Sequence, residues 1–364
     1  MVFDFNTLYE AYKSESLGKR DKLNHHRYTY ELEDRLFYLQ EQLNNNTFEP
    51  SPLQLKTILY PKKRIAQIPS KDDKIVQHAI CDYVAYDFLV APLRKEASAN
   101  TRGRGTDYGL RLLKENYVKF YRIYRKPPYV LKCDISNFFG SIPHDKATEL
   151  VERYIEDETI LNIFYKFINI NKADVGLPLG LQQSQLIANL YLSDMDHIII
   201  EDKGFEFYGR HMDDFYIMSN DRKELEKLLL WIDNYVQGIG LKLNPKTKIT
   251  YREVEYLGFK VFISNSGKVI MRLLNSKKKT KRHQLRKQVN ELKDGKVTPE
   301  KLAMSYQGWR QYAQKGNTHN MIKSMDNYLN SLLNPIGYKM RMEFRGWANN
   351  RKKWRVVIER INNE

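Results

Sequence analysis

Phe207-Tyr-Gly-Arg-His-Met-Asp-Asp-Phe215 sets two adjacent carboxylates, Asp213 and Asp214, inside an aromatic run that continues through Tyr216 and Ile217. Strand-forming residues on both sides of a short polar bend predict a β-hairpin over Phe205–Ser219, with Met212-Asp213-Asp214 at the bend. Some 80 positions upstream, Tyr129-Val-Leu-Lys-Cys-Asp134 is an apolar strand that ends on a third carboxylate. An unpaired carboxylate at the end of a buried strand is costly, and two adjacent ones repel. Divalent cations relieve both penalties. Two Mg²⁺ ions about 3.5–4 Å apart, held by carboxylates from neighbouring strands, suit in-line phosphoryl transfer, and Mg²⁺ takes hard oxygen ligands. The competing reading is a plain Asp-Asp turn, with Asp134 capping a helix.

Outward from these strands the chain alternates helices and short strands. Leu32, Leu36, Leu39 and Leu43 recur at helical spacing and predict a helix over Tyr28–Leu43. Leu53–Ile68 reads as two strands around Tyr60-Pro-Lys-Lys-Arg64, and Lys74–Leu89 as a helix. Thr101-Arg-Gly-Arg-Gly-Thr106 is a basic glycine loop before a helix from about Asp107. Further helices are expected from His144, over Glu158–Ile168, from near Ser184 after the Gly176-Leu-Pro-Leu-Gly180 turn, and over Glu224–Tyr235. Leu241–Thr250, Tyr256–Phe262 and Lys268–Leu273 read as strands, and everything from Leu274 as basic helix.

The 364 residues carry a formal charge of +16, with 42% apolar and 29% charged residues. Those proportions exclude a disordered chain or a fibrous repeat. From Leu273 to Glu364 there are 21 Lys and Arg against 7 Asp and Glu; the remainder holds 39 against 37. A near-neutral body with a basic last quarter points to a polyanion held by one module, or else to a solvated face. Cys81 and Cys133 are too few for a disulfide framework or a four-ligand zinc site, which suits a reducing cytoplasm. No leader pattern and no apolar run of spanning length is visible, so no membrane partner is expected.

Five blocks in order carry a resemblance: Asp134-Ile-Ser-Asn-Phe-Phe139, Gly176-Leu-Pro-Leu-Gly-Leu-Gln-Gln-Ser-Gln185, Phe207–Phe215, Leu241-Lys-Leu-Asn-Pro-Lys-Thr-Lys248 and Tyr256-Leu-Gly-Phe259. Together they resemble reverse transcriptases, from the first catalytic Asp through the X-X-Asp-Asp box to a Leu-Gly primer grip. Pro61-Lys-Lys-Arg-Ile-Ala-Gln-Ile-Pro69, Asp72-Asp-Lys-Ile-Val-Gln-His-Ala-Ile80 and Ala97–Thr106 are similar to the fingers of bacterial members. The resemblance spans roughly Tyr28 to Phe262. It implies an α+β right-hand polymerase: N-terminal helices and fingers over 1–128, a palm of antiparallel sheet backed by helices over 129–273, and a basic helical thumb over 274–364. The Leu179-Gly-x-x-x-Ser-Gln185 form and Ala188-Asn-Leu-Tyr-Leu-Ser-Asp-Met-Asp-His197 look most like the diversity-generating retroelement group. That group copies a template RNA into cDNA with errors at adenines, usually beside an accessory variability determinant protein. Retron-type and phage-defence enzymes share most blocks and are the alternative, with a structured noncoding RNA as partner and, in some, untemplated synthesis. An RNA-directed RNA polymerase and a catalytically dead RNA-binding scaffold are the remaining readings.

The resemblance also implies roles. Asp134 and Asp213 would be the main ligands of two Mg²⁺ ions, or Mn²⁺ in their place, with Asp214 the third acidic member and the Ile135 carbonyl an added oxygen. Phe139 matches a steric gate that favours dNTPs over ribonucleotides, or is a core aromatic beside Phe138. Lys63 and Arg64 would hold the triphosphate, or form an exposed basic hairpin. Lys246 would protonate pyrophosphate. Pro178 and Gly180 would let backbone approach the incoming base pair, with Gln185 following in the same block. Leu179 stands where a polar residue elsewhere restrains the nucleotide, so selection should loosen. Arg102 and Arg104 of the glycine loop, and His211 where Tyr is usual, are expected near template or primer. Leu257 and Gly258 would grip the primer of an RNA/DNA hybrid. Lys277, Lys278, Lys279, Lys281 and Arg282 would touch its backbone or form a solvated face. Trp309, Trp347 and Trp354 would stack on bases or pack the thumb.

Overall fold

A computed structural model describes residues 3–18, 23–58, 64–348 and 351–361, with side chains excepted at 23–25, 64, 347–348 and 351–353. The N-terminal helices are α1 (Phe5–Ser16), α2 (Leu23–Tyr30) and α3 (Leu32–Asn44). The Asp4 side chain caps α1 by accepting from the Thr7 amide at 2.7 Å. The single helix expected over Tyr28–Leu43 is thus two, broken at Glu31, the residue that precedes α3. Leu36, Leu39 and Leu43 supply the buried stripe of α3. An antiparallel pair follows, β1 (Gln54–Ile58) and β2 (Arg64–Ile68), with Ile58 opposite Arg64. α4 (Lys71–His78) opens on a capping box made by Ser70 and Asp73, three residues before the expected start. The chain then passes through a π-helical stretch, Ala79–Val84, into α5 (Tyr86–Val90), so the expected continuous helix is interrupted.

α6 (Thr106–Tyr124) leads to β3 (Tyr129–Cys133). α7 (Phe138–Ser141), α8 (His144–Glu152), α9 (Glu158–Ile168), α10 (Gln182–Tyr191) and α11 (Ser193–His197) come next. Ile160, Ile163, Phe164 and Phe167 make the buried face of α9, the i, i+3, i+4, i+7 pattern of an amphipathic helix. The expected hairpin is β4 (Tyr208–His211) and β5 (Asp214–Ser219), followed by α12 (Arg222–Gly238) and β6 (Lys248–Tyr251). These strands form one antiparallel sheet in the order β4-β5-β3-β6. All of β5 after Asp214 is buried, and α12 covers β3 and β5 through Leu225, Leu228, Ile232 and Val236. Only Lys248–Tyr251 of the expected Leu241–Thr250 strand is strand; ahead of it Leu243 makes a single bridge to Ile135, and Pro245 has no amide hydrogen to extend a ladder.

Two compact units are defined by contacts within the chain. The first is Met1–Asn116 with Tyr129–Tyr251, and the second Tyr117–Pro128 with Arg252–Glu364. The second holds an antiparallel sheet of β7 (Glu253–Tyr256), β8 (Phe259–Ile263) and β9 (Val269–Leu273). It also holds α13 (Asn275–Lys293), α14 (Pro299–Ala313) and α15 (His319–Leu333). Leu285, Val289, Leu302, Tyr306, Met325 and Leu329 are buried where these helices meet. The tail is not helical throughout. It ends in a long hairpin, β10 (Tyr338–Ala348) and β11 (Arg351–Arg360), whose Met340, Val356 and Ile358 join the same core. Met340, Met342 and Phe344 alternate with Lys339, Arg341 and Glu343, a period of two that only a strand can bury on one side.

Candidate active site

Cys133, the last residue of β3, pairs with Phe215 of β5. Asp134 therefore leaves β3 beside the position where Asp214 begins β5. On the other side, residues 134–136 run against 242–244: the Asp134 carbonyl accepts from the Asn244 amide at 2.8 Å, and the Ser136 amide donates to the Lys242 carbonyl at 2.8 Å. Ile135 is buried in this arrangement. His211 pairs with Asp214, so the hairpin turn is only Met212-Asp213, with Met212 at a left-handed φ of 58°.

Lys132 lies two residues before Asp134 on the same face of β3. Its ammonium pairs with the Asp214 carboxylate and donates to the Cys133 carbonyl at 3.1 Å. Desolvation pulls its pKa down to about 8, while Asp134 and Asp213 push it upward. The Lys132 ammonium thus pairs with Asp214, and the charges of Asp134 and Asp213 act on the same group; carboxylate oxygens are the hard donors that Mg²⁺ prefers. Among the described residues, no group of three His, Cys, Asp or Glu is arranged to hold a metal ion.

A buried network fixes the turn. Arg210 is fully buried and pairs with the equally buried Asp196 at 2.5 Å. It also donates to the Asn189 side chain at 3.0 Å and to the Met212 carbonyl at 3.1 Å. The Tyr208 hydroxyl donates to Asp196 at 2.5 Å. Helices α10 and α11 thereby hold the backbone of the Asp213 turn. The Asn100 amide reaches the Met212 sulfur at 3.3 Å and the Gln185 carbonyl at 3.3 Å. Lys132, Arg210, Asp196, Asn189 and Asn100 were not among the expected site residues. Their signal is distributed: Arg210 and Asn100 reach Met212 directly, Asp196 and Asn189 act through Arg210, and Lys132 pairs with Asp214.

The Gly176–Gly180 turn is fixed from two sides. The Leu177 amide donates to the Phe139 carbonyl at 2.8 Å, and the Leu179 carbonyl accepts from the Gln67 amide of β2 at 3.0 Å. Gly180 has a φ of 128°, and a Cβ there would meet the Gln67 carbonyl oxygen at 2.5 Å, so only glycine fits. Pro178 is buried, Leu179 half-buried and Gln185 exposed. Phe139 is half-buried and meets Phe138 edge-on at 5.8 Å. Lys246 is exposed, two residues beyond Asn244, and its amide donates to the Asn244 side chain at 3.0 Å. Lys63, with the bend Tyr60–Lys63, lies outside the described residues, as does the Arg64 side chain.

Several expected nucleic-acid contacts have other partners. The Arg104 guanidinium donates to the carbonyls of Arg94 at 2.8 Å and Ala97 at 3.3 Å, which fixes the loop that holds it. Arg102 is exposed but sits over the Tyr86 ring at 4.0 Å and donates to the Asp82 carbonyl. His211 shares a 2.9 Å hydrogen bond with the Ser98 hydroxyl. Burial, and then Arg210, lower its pKa, which keeps the ring neutral at pH 7. In the second unit, Leu257 and Gly258 form the two-residue turn of β7–β8, both with positive φ, the type I′ geometry that suits a hairpin. The Tyr312 hydroxyl donates to the Leu257 carbonyl at 2.6 Å and occupies the space a Cβ at position 258 would need. On α13, Lys277 and Lys279 are exposed and Lys278 half-exposed. Lys281 departs from the expected basic face: it is only 4% exposed, and its ammonium donates to the Ser305 carbonyl and hydroxyl at 3.2 Å. Arg282 lies over the Tyr328 ring at 4.7 Å. Trp309 packs within the second unit, stacked on Tyr306 at 5.6 Å.

The sequence profile of the family described as reverse transcriptase (RNA-dependent DNA polymerase) matches residues 56–261. The chain belongs to the reverse transcriptase family, whose members generally use divalent metal ions. It is 28% identical over 218 residues to the uncharacterized 91 kDa protein in cob intron of Schizosaccharomyces pombe, covering 52% of this chain and 26% of that protein. It is 24% identical over 181 residues to the group II intron-encoded protein LtrA of Lactococcus lactis subsp. cremoris, covering 46% of this chain and 29% of the relative. The chain thus spans less than a third of the length of either relative. Among solved structures, apo telomerase from Candida tropicalis truncated from its C-terminal domain aligns with a TM-score of 0.46 and 13% identity, over 64% of this chain and 58% of that one. Among the described residues, no helix is long and apolar enough to cross a membrane.

Proposed function

We propose that this chain is an RNA-directed DNA polymerase that copies a template RNA into cDNA, and that Asp134, Asp213 and Asp214 are its catalytic carboxylates. The observation that supports the reading is one of strand ends: Asp134 follows β3, whose Cys133 pairs with Phe215, and Asp213 and Asp214 lie at the β4–β5 corner beside it. They would hold two Mg²⁺ ions, with the Ile135 carbonyl as a further ligand. Those ions supply an activated primer hydroxyl and neutralise charge on the leaving pyrophosphate. The chain's own residues do the rest. Phe139 excludes a ribose 2′-hydroxyl, and the 176–180 turn brings backbone up to the incoming base pair. Lys63 and Arg64 hold the triphosphate, and Lys246 supplies a proton to pyrophosphate. The Leu257-Gly258 turn bears on the primer, and Lys277, Lys278, Lys279 and Arg282 on the hybrid backbone.

Within the family, Leu179 and the Ser184-Gln185 pair favour a diversity-generating retroelement enzyme, error-prone at template adenines and working with an accessory variability determinant protein. His211 in place of the usual Tyr departs from that group's pattern; the second reading, a retron-type or phage-defence enzyme with a structured noncoding RNA, rests on the blocks these enzymes share.

Primer extension in Mg²⁺ tests the activity, with dNTPs or NTPs and with or without an RNA template. The wild type should extend only with dNTPs and template. Asp213→Ala/Asp214→Ala should lose on the order of a thousandfold or more, given that the metal-bound charge is worth several kcal/mol. Extension that persists in the double variant rejects the site.

A further inference from the structure

Part of the β10–β11 hairpin packs on the helices of its unit. Near its base, Met340, Val356 and Ile358 face the thumb core. Gln307 of α14 meets β11 here, accepting from the Val356 amide at 2.8 Å and donating to the Trp354 carbonyl at 3.2 Å. Because side chains alternate along a strand, Phe344 and Trp354 lie on that same inner face. They are cross-strand partners and meet edge to face at 5.4 Å. Yet Phe344 is 45% and Trp354 46% exposed. Two large aromatic rings in contact with each other and open to water are unusual on a folded surface.

Their surroundings are cationic. Residues 338–361 carry eight Lys and Arg against two Asp and Glu. The register shifts between Phe344 and Gly346, which makes Arg345 a bulged residue directly beside the aromatic pair; bulges re-aim side chains. Glu343 holds both flanking guanidiniums, Arg345 at 3.2 Å and Arg355 at 2.5 Å. The sequence adds Arg351, Lys352 and Lys353 on the adjoining strand.

We propose that this exposed end of the hairpin is a polynucleotide-binding site, in which bases stack on the Phe344–Trp354 pair and phosphates meet Arg345 and Arg355. Aromatic faces flanked by guanidiniums accept any base and hold the backbone beside it. The charge excess complements a phosphodiester chain, and the family handles nucleic acid. An acidic polypeptide would use the charge but has no need of two open rings. The proposal stands whether or not the Asp134 centre polymerises.

The test uses the full chain and fluorescence anisotropy with a single strand of roughly 20 nucleotides, as RNA and as DNA of one sequence, over a salt series. Trp354→Leu and Phe344→Leu keep apolar bulk but remove a ring face, and each should weaken binding about tenfold, within the range of one lost stack. Trp354→Tyr keeps a ring and should stay within about twofold. Arg345→Gln/Arg355→Gln should weaken binding and flatten the salt dependence by about one to two phosphate contacts. Whichever of RNA or DNA responds more identifies the source of the ligand. Unchanged affinity in both leucine variants, at unchanged melting temperature, overturns the proposal. So does a loss confined to the arginine variant, which would leave bare charge without stacking. Labelled polyglutamate that binds as tightly and responds to the same variants would overturn it in favour of an acidic protein partner.

Discussion

Arg210 carries more of the candidate site than its position in the sequence suggests. It is fully buried, paired with Asp196 and hydrogen-bonded to the Met212 carbonyl. Replacing one member of a buried pair leaves the other charge without compensation and costs about 3–5 kcal/mol. Arg210→Met should therefore destabilise the chain by that amount in urea unfolding, and should lower primer extension by releasing the Asp213 turn. An Arg210→Met/Asp196→Leu double variant should recover much of the stability. At the nucleotide turn, Leu179 has an apolar side chain and uses only its carbonyl, toward Gln67. Leu179→Gln should lower misincorporation opposite template adenine roughly fivefold, the worth of one hydrogen bond of about 1 kcal/mol. Sequencing cDNA made by both proteins on one template measures it; equal error spectra would reject the role. The placement of the three aspartates, after β3 and at the β4–β5 corner, was legible because apolar strand-forming runs flank each of them. Arg210 was not. Its partner lies 14 positions earlier on another element, and an Arg near an Asp in sequence usually marks a solvated surface.

Among the elements, α13 sorts its cations by depth. Lys277 and Lys279 face water, whereas Lys281 is buried beside Ser305 and Tyr306. Desolvation lowers the Lys281 pKa to about 8, against about 10.4 in an unfolded chain. Between those values the unfolded state binds more protons, so this group makes stability rise with pH across that window and costs stability below it. Lys281→Met should melt higher than wild type at pH 7, by on the order of a few degrees, and the gap should close as pH approaches 10. A constant gap would mean that packing, not the proton, sets the difference. Helices with a clear apolar stripe, such as α9 and α12, were readable from spacing alone. The β10–β11 hairpin was not, because its dense Lys and Arg resemble a solvated helix even though Met340, Met342 and Phe344 alternate. The Leu241-Lys-Leu243 alternation misled in the other direction: it suggests a strand, but Pro245 confines pairing to Lys248–Tyr251 and the single Leu243 bridge.

For the whole molecule, the charge is divided unequally along the chain. The first 272 residues are close to neutral, and the last 92 hold 21 Lys and Arg against 7 Asp and Glu. Affinity for RNA should fall steeply with salt, by a factor of about 10³–10⁵ between 50 and 200 mM if 6–10 phosphates are neutralised. Titrating the chain with labelled RNA across that range checks it, and a flat response would assign the basic residues to solubility alone. Charge asymmetry was plain in the composition; which cations remain available was not, since burial decides it for Lys281 and carbonyl partners decide it for Arg104. The turn between β4 and β5 spans just Met212 and Asp213, closed by the His211–Asp214 pair. Strand faces invert with every added residue, so one insertion there would swing the Asp214 side chain to the opposite side of the sheet while altering no functional group. The placement of that carboxylate is thus bound to a loop length, and a corner closed by one residue pair leaves no slack in which an extra residue could be absorbed.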